Sequence, residues 1–114
     1  MGISTHILDT ALGRPAADVP ILLAHWEEDR WVALSESDLR TDADGRCRQL
    51  LREHTPLSAG LYRVRFETAV YFEAQHLTGL YPFVEITFEV RDDTQHYHIP
   101  LLLTANGYTT YRGS

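Results

Sequence analysis

Short segments in which apolar and polar residues alternate are the feature that most constrains the fold of this chain. Residues 61–66 and 83–90 both follow the pattern. Their apolar positions are Tyr62, Val64 and Phe66 in the first segment and Val84, Ile86, Phe88 and Val90 in the second. Alternation with period two is typical of a β-strand that buries one face. Because such strands cover their apolar faces against another sheet, the pattern predicts an all-β fold.

Further strands are indicated on both sides of polar turns. Residues 20–24 and 31–34 predict two strands separated by the charged turn at residues 27–30. Asn106 and Gly107 together predict a hairpin near the end of the sequence. The whole chain is expected to form about eight short strands, which a single β-sandwich can bury.

One stretch of the sequence lacks the alternation and predicts a short helix. Thr68 is a candidate N-cap, and Gly79 and Pro82 are expected to end the helix. The apolar residues that the helix would carry are Tyr71, Phe72, Ala74 and Leu77. The sequence therefore predicts a β-sandwich with one short helix.

Length and charge limit the classes of function. The chain has 114 residues, of which 44% are hydrophobic, so we expect one folded domain spanning residues 1–114. The formal net charge is −6, and the ten basic residues are scattered between Arg14 and Arg112. Without a basic stripe, neither nucleic acid nor an anionic membrane is an expected partner.

The compartment is suggested by cysteine usage and by the apolar runs. Cys47 is the only cysteine, so no intrachain disulfide can form. No apolar run approaches the roughly 20 residues of a membrane span. The first residues also lack the basic and apolar regions of a secretory signal. A cytoplasmic protein is therefore expected.

The segment with the most chemical content is residues 96–103. As a strand, it places His96 and His98 on one face. Its other face carries the apolar residues Tyr97, Ile99, Leu101 and Leu103. Two outward imidazoles could move protons or bind a metal, or they could be surface histidines without a task. A metal is disfavoured because no Cys, Asp or Glu ligand stands nearby at matching spacing.

Two other segments carry candidate polar groups. His6 alternates with Ile7 and is expected to point away from the face that Ile7 occupies. Residues 42–45 read Asp-Ala-Asp-Gly and predict a turn directly before Arg46. Cys47 alternates with Arg46 and is expected to be a small buried hydrophobic residue rather than a nucleophile.

Three stretches of the sequence resemble the transthyretin-like hydroxyisourate hydrolases. The first reads Ser-Thr-His-Ile-Leu-Asp at residues 4–9 and continues with Gly-Arg-Pro-Ala at 13–16. The second is Thr-Asp-Ala-Asp-Gly-Arg at residues 41–46. The third reads His-Tyr-His-Ile-Pro-Leu-Leu-Leu at residues 96–103 and extends to Tyr-Arg-Gly-Ser at 111–114. The terminal Tyr-Arg-Gly-Ser distinguishes the hydrolases from the hormone carriers that share their fold.

This resemblance implies a fold, an assembly and a set of site residues. It implies two four-stranded sheets with one short helix and a homotetramer whose active sites lie in a channel between two dimers. The catalytic residues that it implies are His6, Arg46, His98 and Ser114. Substrate binding is implied for His6, Arg46, Tyr111, Arg112 and Gly113. It implies no cofactor and no metal.

The implied reaction is the hydrolytic opening of 5-hydroxyisourate to a ureido-imidazoline carboxylate, on the route from urate to allantoin. A neutral imidazole is a fitting base for the attacking water, and a permanently charged Arg46 can stabilise an oxyanion. His98 is favoured as the base, with His6 positioning water and ring, although either histidine could take the proton. The alternatives are a small-ligand or hormone carrier on the same fold and a structural β-sandwich module.

Overall fold

The computed structural model describes residues 2–114 and contains nine strands and one helix in this part of the chain. The strands are β1 (Ile3–Asp9), β2 (Arg14–Pro15), β3 (Ile21–Glu27), β4 (Arg30–Ala33), β5 (Arg46–Cys47), β6 (Gly60–Phe66), β7 (Val84–Val90), β8 (Tyr97–Thr104) and β9 (Gly107–Thr110). Helix α1 spans Thr68–Glu73 and lies between β6 and β7.

The strands form two sheets that face each other. One sheet has the order β2-β1-β8-β9, and the other has the order β4-β3-β6-β7. These confirm the predicted sandwich, to which the two-residue strand β5 adds a short fifth strand paired with β1. β1 and β8 pair in parallel along Ile3–Asp9, whereas the other strand pairs are antiparallel. The central position of β1 and β8 brings two distant segments side by side.

The alternation in the sequence determines which face of each strand is buried. Tyr62, Val64 and Phe66 of β6 and both ends of β7 lie in the core, as the pattern predicts. In β8, Tyr97, Ile99 and Leu101 are buried, while His98 is only partly covered. Ile7 in β1 is also fully buried. The outer face of the β1–β8 sheet therefore carries Ser4, His6 and His98.

Helix α1 is shorter than the sequence suggests, and Thr68 does not cap it. The N-cap position is Glu67, and Thr68 is a buried residue of the first turn. The Thr68 hydroxyl donates instead to the carbonyl oxygen of Tyr81 at 3.2 Å. The helix ends at Glu73, and a turn that includes His76 at a positive φ of 59° follows. The predicted cap was wrong because Thr68 already lies in the first turn of the helix, where its buried hydroxyl donates to a distant carbonyl.

The predicted β8–β9 hairpin is present, but its turn lies one residue earlier. Thr104 pairs with Gly107, so Ala105 and Asn106 form the two-residue loop. The Thr104 hydroxyl accepts a hydrogen bond from the Asn106 N–H and donates one to the Gly107 carbonyl. Neither Asn106 nor Gly107 has a positive φ. The side chain of Thr104, rather than the glycine, supports this turn.

No helix within residues 2–114 is long and apolar enough to cross a membrane.

The turn at residues 42–45 leads directly into Arg46, the first residue of β5, and Gly45 is required for the geometry of this turn. Gly45 has a φ of 73°, and a Cβ there would lie 2.4 Å from the backbone oxygen of Ile7. Its carbonyl accepts the Ile7 N–H at 2.8 Å. The turn is thus fixed directly against β1.

Replacing Gly45 by Ala should lower the free energy of unfolding by about 2–3 kcal/mol, since strain and a backbone clash add together. Gly13 provides the control, because its φ is 70° and no atom lies within 4 Å of a Cβ built there. Gly13→Ala should cost only about 1 kcal/mol. Urea unfolding at equal protein concentration measures both values. Equal losses in the two variants would contradict a steric role for Gly45.

Candidate active site

An open cleft of about 260 Å³ lies on the outer side of the β1–β8 sheet. It is lined by Ser4, Thr5, Arg46, Cys47, Arg48, His96, His98 and Ser114. Strands β1, β5 and β8 and the residues after β9 therefore all contribute to it. The structure brings together three of the four residues predicted to be catalytic, and His6 stands next to them in the sheet.

His98 is directed into the cleft by the strand pattern of β8. It pairs in register with Ser4 of β1, whose hydroxyl oxygen lies 2.8 Å from His98 Nδ1. The same oxygen lies 2.7 Å from His96 Nε2. His98 Nε2 has no hydrogen-bond partner within the described residues 2–114, so this nitrogen remains available to a ligand or water.

The surroundings of His98 favour its neutral form. Partial burial lowers its pKa from the ordinary value of 6.5, and repulsion from His6, when that ring is protonated, and from the Arg46 charge lowers it further. His96 makes a smaller contribution of the same kind. At neutral pH the His98 imidazole is therefore unprotonated and can accept a proton.

His6 stands next to Arg46 across the β1–β5 pairing, on the same outer face. Its Nε2 lies 2.9 Å from the carbonyl oxygen of Asp44. A carbonyl only accepts hydrogen bonds, so Nε2 carries the hydrogen and Nδ1 of the neutral ring keeps the lone pair. The turn before Arg46 thus fixes the tautomer of His6.

Arg46 enters β5 directly from this turn. The Asp42 carboxylate accepts the backbone N–H groups of Asp44 and Arg46, each at 2.9 Å. The bond from the Arg46 backbone is the main cause that lowers the pKa of Asp42. Within residues 2–114 the Arg46 guanidinium forms no ion pair with a carboxylate, so its charge is available in the cleft.

Gly113 packs directly against His98. Its N–H donates to the His98 carbonyl at 2.9 Å, and the two residues form a β-bridge. A Cβ on Gly113 would lie 2.4 Å from His98 Cδ2 and 3.2 Å from the Pro100 ring. Glycine is required here because the imidazole occupies the space of a side chain. Ser114 follows and lines the cleft.

The structure places the other two predicted binding residues outside the cleft. The Arg112 guanidinium lies 4.5 Å from the ring centre of Tyr97 and donates to Gln95 Oε1 at 2.7 Å. Tyr111 is more than half exposed and lines a groove at the edge of the sandwich. Arg112 therefore anchors the end of the chain, and its side chain does not reach the histidines.

Cys47 is buried, as its alternation with Arg46 predicts. Burial raises the pKa of its thiol, which disfavours a thiolate nucleophile. Among the described residues, no group of three or more His, Cys, Asp or Glu side chains is placed to hold a metal ion.

Comparison with known proteins identifies the family of this chain. The family model described as HIUase/Transthyretin matches residues 3–113. The chain belongs to the HIUase/transthyretin family. Strands β1, β5 and β8, which contain His6, Arg46 and His98, all lie within the matched residues.

Relatives within the HIUase/transthyretin family differ in what their names describe. The 5-hydroxyisourate hydrolase of Caulobacter vibrioides is 43% identical over 119 residues, which cover 99% of this chain and 98% of its own length. The structure of Klebsiella pneumoniae 5-hydroxyisourate hydrolase matches with a TM-score of 0.84 at 35% identity, covering all of both chains. Sea bream transthyretin in complex with thyroxine matches with a TM-score of 0.87 at 31% identity, covering 99% and 95%. Likeness of fold alone therefore does not separate hydrolase from carrier.

Proposed function

We propose that this chain, as one domain, hydrolyses 5-hydroxyisourate and so acts in the breakdown of urate towards allantoin. The observation that carries the proposal is the cleft in which a neutral His98 lies with Arg46 and Ser114. The names of the relatives from Caulobacter vibrioides and Klebsiella pneumoniae support the same substrate. A general base beside a fixed cation is the arrangement that water attack on a ring carbonyl needs.

In the proposed mechanism His98 is the general base. Its Nε2 takes a proton from water as the water oxygen bonds to the ring carbonyl carbon of the substrate. The negative charge that develops on the carbonyl oxygen is stabilised by Arg46. Breaking of the ring C–N bond then gives 2-oxo-4-hydroxy-4-carboxy-5-ureidoimidazoline. No step requires a metal or a cofactor.

His6 and the last residues bind and position the substrate in this proposal. Because Nδ1 of neutral His6 keeps its lone pair, it can accept a hydrogen bond from the water or from a substrate N–H. The Ser114 hydroxyl offers a donor and acceptor at the edge of the cleft. Gly113 keeps this edge open beside His98.

We further propose that the active form is a homotetramer. The cleft of a single chain is open, although water attack in a defined geometry benefits from exclusion of other water. Packing of the outer β1–β8 face against another subunit would close it, with two-fold symmetry between the facing clefts. The expected partners are therefore the small-molecule substrate and further copies of this chain.

The decisive experiment generates 5-hydroxyisourate in place from urate with urate oxidase and follows its ultraviolet decay. The purified chain should accelerate the decay strongly over the spontaneous rate. An unchanged decay with folded protein would overturn the proposal. Light scattering on the same sample measures whether the active species is the tetramer.

A hormone carrier is the second candidate, because the sea bream transthyretin that matches with a TM-score of 0.87 is in complex with thyroxine. The charged cleft argues against it, since Arg46 and two histidines suit a polar reacting group. Calorimetric titration with thyroxine distinguishes the two functions. Tight binding of thyroxine without hydrolysis would favour the carrier.

The pH dependence tests the assignment of the base. His98 must be neutral to act, and its lowered pKa means that kcat/KM should fall on acidification with a midpoint below the ordinary value of 6.5. Since Arg46 contributes to this lowering, Arg46→Gln should move the midpoint of the fall upwards while reducing the rate. Metal chelators should change neither profile. A midpoint in Arg46→Gln at or below that of the wild type would contradict the electrostatic coupling.

A further inference from the structure

The Ser4 side chain joins the two histidines of β8 in a way that the proposed mechanism does not use. Ser4 is only 9% exposed, and its oxygen lies within 2.8 Å of a nitrogen from each imidazole. A hydroxyl has one hydrogen and two lone pairs, and the Ser4 oxygen has no third hydrogen-bond partner within residues 2–114. Its hydrogen is therefore used only when it donates to one ring and accepts from the other. The protonation states of His96 and His98 are therefore linked through Ser4.

When both rings are neutral, two arrangements of hydrogens use the Ser4 hydrogen as well as a lone pair of its oxygen. In the first, His98 Nδ1–H donates to Ser4, and Ser4 donates to His96 Nε2. In the second, both bonds are reversed, and His98 carries its hydrogen on Nε2. Only the first arrangement leaves the lone pair of His98 on Nε2, the nitrogen without a protein partner. A base at Nε2 requires a hydrogen on His98 Nδ1, and of the two arrangements only the one in which Ser4 donates to His96 provides it.

We propose that Ser4 and His96 form a proton relay that fixes the tautomer of His98 and receives the proton that His98 takes from water. The relay rests on the proposed hydrolysis, which supplies the proton. As Nε2 of His98 binds the water proton, its Nδ1 proton passes to the Ser4 oxygen, and the Ser4 proton passes to His96 Nε2. His98 ends neutral, and His96 becomes the imidazolium.

The charges around the two rings favour this direction. The permanent charge of Arg46 opposes a positive charge on His98. His96 is exposed at the rim of the cleft, where water can solvate an imidazolium. Burial lowers the pKa of His96 as well, which favours the return of the proton. The relay moves the positive charge away from Arg46 while the oxyanion exists.

The return of the proton completes the cycle. When the ring C–N bond breaks, His98 Nε2–H protonates the leaving nitrogen. His96 then returns its proton through Ser4 to His98 Nδ1. Both rings regain their starting tautomers, and the only net change is the addition of water to the substrate. In this scheme Ser4 and His96 are positioning residues that act through His98.

The test combines nitrogen NMR of the imidazoles with kinetics. In the wild type, His98 should carry its hydrogen on Nδ1, and Ser4→Ala should move it largely to Nε2. Ser4→Ala should also lower kcat by about 10- to 100-fold with KM within about twofold. His96→Gln keeps a hydrogen-bonding amide but cannot bind the proton. It should preserve the His98 tautomer and still lower kcat by about 10-fold.

His54→Gln serves as the control, because its ring is 90% exposed and paired only with Glu53. Its kcat and its His98 spectrum should match those of the wild type. Wild-type kcat in His96→Gln, or an unchanged His98 tautomer in Ser4→Ala, would overturn the relay. If the wild type hydrolysed no 5-hydroxyisourate, the proposed function would fail, whereas the substrate-free NMR would still decide whether Ser4 fixes the tautomer of His98.

Discussion

Replacing His98 by Ala should reduce kcat by about 10²- to 10⁴-fold, or about 2.7–5.5 kcal/mol of the barrier. The side chain lies in the cleft, its Nε2 has no hydrogen-bond partner within residues 2–114, and its lowered pKa keeps the ring unprotonated at neutral pH. KM should change much less, since the base acts mainly as the water attacks. Decay of 5-hydroxyisourate under single-turnover conditions measures the effect on the chemical step.

Two further variants make this result specific. His98→Asn keeps a hydrogen-bonding group near Ser4 but removes the base, so it should be as inactive as His98→Ala. His54→Asn is the matched control, because His54 is exposed and its φ of 66° is tolerated by Asn. It should retain full activity. Near wild-type turnover in His98→Asn would remove His98 from the mechanism, although His6 would remain a candidate base.

The second large effect is expected at Gly113. Gly113→Ala introduces a Cβ whose ideal position is 2.4 Å from His98 Cδ2. The imidazole must move away, which breaks its 2.8 Å hydrogen bond to Ser4. We expect kcat to fall by about 10- to 100-fold, since catalysis depends on the placement of the base within a fraction of an ångström. The same assay as for His98 measures the loss.

Gly107→Ala is the control for this substitution. Gly107 also lies in the last part of the sheet, but a Cβ there would lie 3.8 Å from the Thr104 hydroxyl oxygen, an ordinary contact distance. It should keep wild-type activity and a similar melting temperature. Gly113→Ala should melt close to the wild type as well, because Gly113 is outside the hydrophobic core. Full activity in Gly113→Ala would show that the His98 ring tolerates displacement.

Most of the fold follows from local patterns in the sequence. Alternation correctly assigned the buried faces of β6, β7 and β8, because the side chains of a strand alternate whatever its partners are. The helix start was less predictable, since the Thr68 hydroxyl bonds to Tyr81, thirteen positions away. A local pattern contains no information about such a distant acceptor.

The candidate site was only partly predictable for the same reason. His6 and His98 were assigned to the outer face from alternation, and Arg46 and Ser114 came from the family resemblance. Ser4 was missed, although it alternates with Thr5 and so shares the outer face of His6. Its link to His96 depends on the β1–β8 register, which no single segment specifies.

The position of Arg112 was predictable from alternation but was not obtained from the resemblance. The pairings of Thr110 with Leu101 and of Gly113 with His98 put Arg112 on the same side as Ile99. That is the opposite side to His98. Its contact with Tyr97 then follows directly from strand geometry.

Because β1 pairs in parallel with β8, the cleft is expected to form late in the folding of each chain. Ser4 and His98 are 94 positions apart, so the ribosome must synthesise most of the chain between these two cleft residues. Contacts between such distant segments are slow to form. Recovery of hydrolysis during refolding should therefore lag behind the recovery of β-structure, and the enzyme assay would report closure of the central sheet.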